Sequence, residues 1–193
     1  MEKEVENTQQ KILNVSTEMF VERGYQSVSM REIAEACGLS KPGLYYYFTN
    51  KQDLFLEILD SQLEVLSQLI ASIQAQTVTS RERIRIFIVS VLTESTHQSA
   101  LIRLGTHEMS NLEDVIRNEF YQRYQQKFLS PLAGLIQAGI DSGEIRSIEP
   151  DQGVWALLGL IFPYLNRIGP SDEQVQATAA FIENVLFDGI AAK

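Results

Sequence analysis

Apolar residues recur every three or four positions along almost the whole chain, and no stretch alternates as a half-buried strand would. Ile12, Val15, Met19 and Phe20 form the first stripe, predicting a helix from about Thr8 to Arg23 that Gly24 stops. Ser29 followed by Glu32 is a capping box, so a second helix starts at Met30, and Gly38 in a left-handed conformation ends it after Cys37. Ser40 caps a third helix with Pro42 in its first turn, where a missing N–H costs nothing. Asn50 and Asp53 repeat the capping pattern for a longer helix reaching about Gln74.

Two short helices joined by Gly38-Leu39-Ser40 make a helix-turn-helix pattern, with longer helices on either side. The second short helix carries three consecutive tyrosines in SKPGLYYYF, residues 40 to 48. At about 100° per residue, Leu44 and Phe48 share one face and Tyr46 points the opposite way, with Tyr45 and Tyr47 on the shoulders. At least one ring therefore faces away from the core, available to a partner or packed on a neighbouring helix.

The remaining chain reads as a larger helical domain. SRERIRIFIVSVLTEST, residues 80 to 96, is one helix, and a shorter one is expected near Ser99 to Glu108. A long helix from Leu112 to Ser142 is expected to break locally near Pro131 and to stop at Gly143. The helix from Asp151, DQGVWALLGLIFPYLNRIG, is apolar nearly all round and so must be covered on every side. With the stripe on the helix from Ser171, it predicts a homodimer interface of Val154, Leu157, Leu158, Ile161, Leu165, Val175, Thr178, Ile182, Val185 and Leu186; the alternative is a buried central helix in a monomer.

Composition narrows the possible functions. The 193 residues, 45% of them hydrophobic and 21% charged, suffice for a real core. The polar, acidic first ten residues do not resemble a signal peptide, and the longest apolar run, VWALLGLIF, is too short to span a bilayer, so a cytoplasmic location is expected. The single cysteine, Cys37, excludes an intrachain disulfide and reads as a small buried residue. A net charge of -9 argues against nucleic acid, but its distribution does not. From Arg23 to Lys51, four basic residues stand against Glu32 and Glu35, a balance of +2 that leaves -11 for the remainder.

Catalysis finds little support. The two histidines, His97 and His107, do not form a metal-ligand pair, and Glu94 with His97 gives a single Glu-x-x-His step where a helical di-metal site needs a second. Glycine-rich phosphate loops and nucleophile elbows are absent. The reading is therefore a non-enzyme without metal or cofactor, and a helical dimer that meets another protein is the alternative to DNA binding.

From Ile12 to Leu59 the chain resembles the N-terminal DNA-binding domain of TetR-type transcriptional regulators. The resemblance rests on RGY before the second helix, IAEACGLSK across the turn, LYYYF on the third helix and NKQDL opening the fourth. Val28 departs from the family pattern, where a small hydroxyl residue is frequent, and Tyr47 departs where histidine is frequent. The resemblance implies an all-α fold, with residues 1–53 as the helix-turn-helix domain and 54–193 as a ligand-binding and dimerisation domain. It also implies a palindromic operator in double-stranded DNA and a small-molecule effector that releases a repressor.

Position by position, the resemblance places Lys41 and Lys51 on phosphate and lets the hydroxyls of Ser29, Tyr45 and Tyr47 donate to backbone oxygens. Gly43 would permit close approach to the groove, while Pro42 and the Tyr46 ring offer apolar surface to thymine methyls. Arg31 is the candidate for a bidentate guanine contact, with a phosphate contact or a solvated surface charge as the alternative. Aromatic and polar residues on the later helices, His97, Arg103, His107, Met109, Tyr121, Tyr124, Phe128, Trp155 and Tyr164, are the candidates to line an effector pocket.

Overall fold

A computed structural model describes residues 2–93, 114–165 and 170–190; the side chains of residues 2–4, 115 and 188–190 are not described. Among the described residues the chain is helical: α1 Glu2–Arg23, α2 Met30–Cys37, α3 Lys41–Tyr47, α4 Lys51–Gln74, α5 Ser80–Thr93, α6 Asp114–Tyr124, α7 Ser130–Asp141, α8 Pro150–Ile161 and α9 Asp172–Ile190. A π turn, Gln125–Leu129, joins α6 to α7, and a 3-10 turn, Phe162–Tyr164, comes after α8.

The chain divides into two compact units, Met1–Gln62 with Ala100–Phe120, and Leu63–Ser99 with Tyr121–Lys193. The division falls inside α4, so this helix contributes its first half to one unit and its second half to the other.

Local signals account for the first unit. The Ser29–Glu32 capping box forms, and Gly38 closes α2 at φ 70°, a left-handed conformation that costs glycine no Cβ clash. The side chain of Ser40 accepts from the Gly43 N–H at 3.1 Å and starts α3. The core beneath is aromatic. Phe20 meets Tyr25 at 5.3 Å and Phe55 at 5.9 Å between centroids, and Tyr25 meets Phe55 at 4.7 Å. Burying such rings contributes about 1.5–3 kcal/mol each. Leu44 is fully buried, and Phe120 from α6 packs against the same core.

α1 begins at Glu2, six residues before the start expected at Thr8. Its opening EKEVE lacks periodic apolar residues, but acidic side chains at a helix N-terminus suit the helix dipole.

In the second unit α5 packs on α9 and α7, and α8 packs on α7 and α9. Gly153 lets α8 come close to α7, since a Cβ there would stand 2.8 Å from Ile136 Cγ2. The N-terminus of α5 is capped from a distance. The Glu144 carboxylate accepts from the N–H groups of Ser80 at 3.0 Å and Arg81 at 3.3 Å. Burial alone would raise that carboxyl; the hydrogen bonds from Ser80, Arg81 and Ser142 outweigh it and hold it below the usual carboxylate value. Glu183, nearly buried on α9, accepts from Arg81 Nε at 2.5 Å and lies 3.5 Å from Arg85, tying α9 to α5.

The expected break near Pro131 takes the form of the π turn just before it. Proline lacks the N–H that would bond back to the preceding turn, and the widened turn accommodates the loss. Pro163 likewise ends α8 in its 3-10 turn, short of the span expected from apolar periodicity.

Candidate nucleic-acid interface and helical sensor unit

The third helix stands as its wheel predicts. Leu44 and Phe48 are buried, Tyr46 is 77% exposed and Tyr45 is 42% exposed. Tyr47 is half-buried against the core and meets Tyr46 edge to face at 5.1 Å. A ring as exposed as Tyr46 contributes little to this domain's stability, so its hydrophobic surface remains available to a partner. Pro42 is exposed beside it. At Gly43 a Cβ would come 3.2 Å from the Ser40 hydroxyl, so the glycine also keeps room for the helix cap.

The basic residues differ sharply in their surroundings. Lys41 is exposed and reaches over the Tyr45 ring, 5.7 Å from its centroid. Arg31 is exposed and pairs with Glu35 one turn along α2 at 2.9 Å; this surface pair can open toward DNA at little cost. The hydrogen bond and charge of Glu35 raise the Arg31 guanidinium further above its already high value. Lys51 is partly buried, and its Nζ donates to the carbonyls of Tyr25 and Val28, both at 2.9 Å, and Gln26 at 3.4 Å. It points into the protein as well as toward the surface.

Ser29 is engaged too. Its hydroxyl donates to Glu32 at 2.7 Å and its N–H donates to the same carboxylate at 2.8 Å, while Arg23 adds a third contact at 2.5 Å. The Arg23 hydrogen bond, helped by those of Ser29, holds Glu32 down at about 2. With the carboxyl lower when folded than when free, its capping contribution is present above the ordinary carboxylate range and lost as pH falls through about 2. An NMR titration should show Glu32 titrating near 2, and Arg23→Ala should move the midpoint upward.

A shallow open groove of about 490 Å3 gathers the expected residues Ser29, Arg31, Lys41, Tyr45 and Lys51. It adds Gln26, Ser27 and Asn50, which were not among the residues expected from the sequence. Gln26 and Ser27 lie just before the Ser29 cap, and Asn50 is itself the cap of α4, its side-chain oxygen accepting from the Asp53 N–H at 2.8 Å.

On the later helices the expected faces separate differently. Val154, Leu157, Ile161, Leu165, Val175, Ile182 and Leu186 are buried in the chain's own core, so these side chains are closed to a second copy. Thr178 and Leu158 are intermediate, and Val185 is 42% exposed. The open apolar surface is instead Trp155 and Phe162 of α8 and its adjoining turn, with Phe181 and Val185 of α9. The physical reason is periodicity: both faces of α8 are apolar, and the stripe lying on α7 and α9 is the one that the chain itself covers.

The expected pocket set also divides. Tyr124 and Phe128 meet at 5.3 Å, and Phe87, absent from that set, lies 6.4 Å from Phe128. Burial, with a smaller contribution from Tyr121, pushes the Tyr124 hydroxyl up to about 12. Tyr164 is partly buried, whereas Tyr121 and Trp155 are each 54% exposed. His97, Arg103, His107 and Met109 lie outside the described residues. Among the described residues no group of three His, Cys, Asp or Glu side chains is placed to hold a metal ion, and no helix is long and apolar enough to cross a membrane.

These features, a helix-turn-helix that presents tyrosines and a larger helical unit, have counterparts. The family described as bacterial regulatory proteins, tetR family, matches residues 12–58, and the tetracyclin repressor-like C-terminal domain matches residues 77–162. QacR, an HTH-type transcriptional regulator of Staphylococcus aureus, is 30% identical over 141 residues, covering 72% of this chain and 73% of its own. YhgD of Bacillus subtilis, an uncharacterized HTH-type transcriptional regulator, is 25% identical, covering 94% and 95%. AibR, solved in complex with isovaleryl coenzyme A and operator DNA, superposes with a TM-score of 0.76 at 25% identity, over 93% of this chain and 98% of that one.

The chain belongs to the tetR family of bacterial regulatory proteins. It is a DNA-binding transcriptional regulator.

Proposed function

We propose that the protein is a homodimeric repressor that holds a palindromic operator and is released from it by a small molecule. The observation that carries the reading is the exposed Tyr45–Tyr46 edge of α3, fixed from behind by the buried Leu44 and bordered by Lys41 and Arg31. Aromatic and apolar surface suits thymine methyls in a major groove, and the flanking cations suit phosphates. DNA binding is assigned to residues 1–53, and effector binding with dimerisation to 54–193. A DNA-bound regulator works in the cytoplasm, and nothing in its chemistry calls for a metal or cofactor.

Two copies meeting through Trp155, Phe162, Phe181 and Val185 would present two recognition helices, and the half-sites must match their separation. AibR binds both an acyl coenzyme A and operator DNA. By analogy an effector here binds within the C-terminal unit, around Tyr124, Phe128 and the π turn, a type of helical irregularity frequent at functional sites. A shift of α4 then separates the DNA-binding helices, and effector and operator weaken each other by the same factor.

A duplex selected from random sequence should be retained against excess competitor, and an effector found by screening should release it while slowing hydrogen exchange near Tyr124 to Leu129. An effector that releases DNA and protects only the N-terminal unit would place the sensor elsewhere. Trp155, exposed on α8, is expected to report dimerisation more than effector binding.

A further inference from the structure

We infer that Lys51 is a positioning residue of the DNA-binding surface, its ammonium clasping the turn between α1 and α2 from inside instead of serving as a phosphate ligand. The inference rests on the DNA-binding role described above.

A lysine ammonium carries three donors and no acceptor. At Lys51 they are matched by three carbonyl oxygens, those of Tyr25 and Val28 at 2.9 Å and Gln26 at 3.4 Å. The Tyr25 ring adds a cation–π contact, its centroid 4.3 Å from the same nitrogen. Tyr25 itself belongs to the aromatic core with Phe20 and Phe55. The clasp therefore joins the first residue of α4 to a turn anchored in that core.

The clasped turn leads directly into the DNA-binding surface. Val28 is buried and immediately precedes Ser29, the N-cap of α2, and Arg31 stands two residues further on. The turn's own backbone hydrogen bond, from the Val28 N–H to the Tyr25 carbonyl, is long at 3.4 Å. Lys51 thus supplies three further donors to the path of the chain into α2. A phosphate could recruit this ammonium only by drawing it off carbonyls that would then lose its hydrogen bonds, an exchange with little net gain. Lys41, exposed and set over a tyrosine ring, faces no such competition.

The test compares Lys51→Met, Lys51→Arg and Lys41→Ala by hydrogen exchange of the DNA-free protein and by the salt dependence of binding to random-sequence duplex DNA. Both Lys51 variants are expected to speed exchange of the Val28, Glu32 and Ile33 amides on the order of tenfold. Both should lose duplex affinity, and Lys51→Arg should fail to rescue it, because a planar fork cannot replace three donors radiating from one nitrogen. Lys51→Met should keep the wild-type salt slope, whereas Lys41→Ala should lower it by about 0.9, one phosphate. If Lys51→Met lowers the slope by one phosphate and Lys51→Arg restores binding, Lys51 is a phosphate contact and the inference is wrong. It is equally overturned if Lys51→Met unfolds the N-terminal unit while Lys51→Arg exchanges like wild type, since any cation would then suffice. Should wild type fail to bind duplex DNA, the DNA-binding role falls, but exchange still decides the clasp: unchanged rates in both Lys51 variants refute it.

Discussion

An arginine at Ile182 is expected to unfold the C-terminal unit, whereas an arginine at Phe181, the adjacent residue, leaves it folded and splits the dimer. Ile182 is fully buried between helices, so a guanidinium there loses both the isoleucine packing and its own hydration. Burying an unpaired charge of this kind ranks among the few changes that cost more than about 4 kcal/mol, a large fraction of a total stability of about 5–15 kcal/mol. Phe181 is 53% exposed, about 100° around α9 from Ile182. A charge at such a position changes protomer stability by roughly 0.5 kcal/mol or less, yet in a dimer it would be buried against its own copy. Circular dichroism and sedimentation together separate the outcomes. A Phe181→Arg protein that still sediments as a dimer would move the interface off this face, and a folded Ile182→Arg protein would refute the packing of α9.

Leu44→Ala is expected to abolish operator binding without contacting DNA at all. Leu44 is the one side chain of α3 that is buried, and it holds a seven-residue helix too short to persist by itself. Removing it costs about 2–5 kcal/mol, the range for truncating a fully buried leucine, and the loss falls on the recognition helix. Exchange protection should vanish from Lys41 to Phe48 while α5, α7 and α9 stay protected. Retention of wild-type operator affinity by this variant would mean that α3 is held by something other than its core contact.

How far the sequence could lead depended on the reach of each interaction. Ser29 with Glu32, Gly38, and Ser40 with Pro42 act within a few residues, so α2, α3 and the turn between them were legible, and the wheel placed Tyr46 outward and Leu44 inward. Lys51 looked like a free surface cation because the carbonyls that engage it lie 23 to 26 residues away. Glu144 gave no sign of capping α5, whose first amides lie 63 and 64 residues earlier. On α8 and α9 the apolar pattern announced two buried faces but not which one the chain covers itself; only packing assigns Val154, Leu157 and Ile161 to the core and Trp155 and Phe162 to the outside. Trp155, expected from the sequence to line a pocket, is among those outside side chains.

The central claim, that the exposed tyrosine edge of α3 reads duplex DNA, is tested most directly by comparing wild type and Tyr46→Ala on an operator duplex selected from random sequence by the wild-type protein. Tyr46 is too exposed for its loss to unfold the domain, so the melting temperature should not move. Operator affinity should fall by roughly 1–3 kcal/mol with non-specific affinity nearly unchanged, because a base contact is lost and no charge is removed. Equal operator affinity in the two proteins, or a wild type that selects no duplex, would contradict the account.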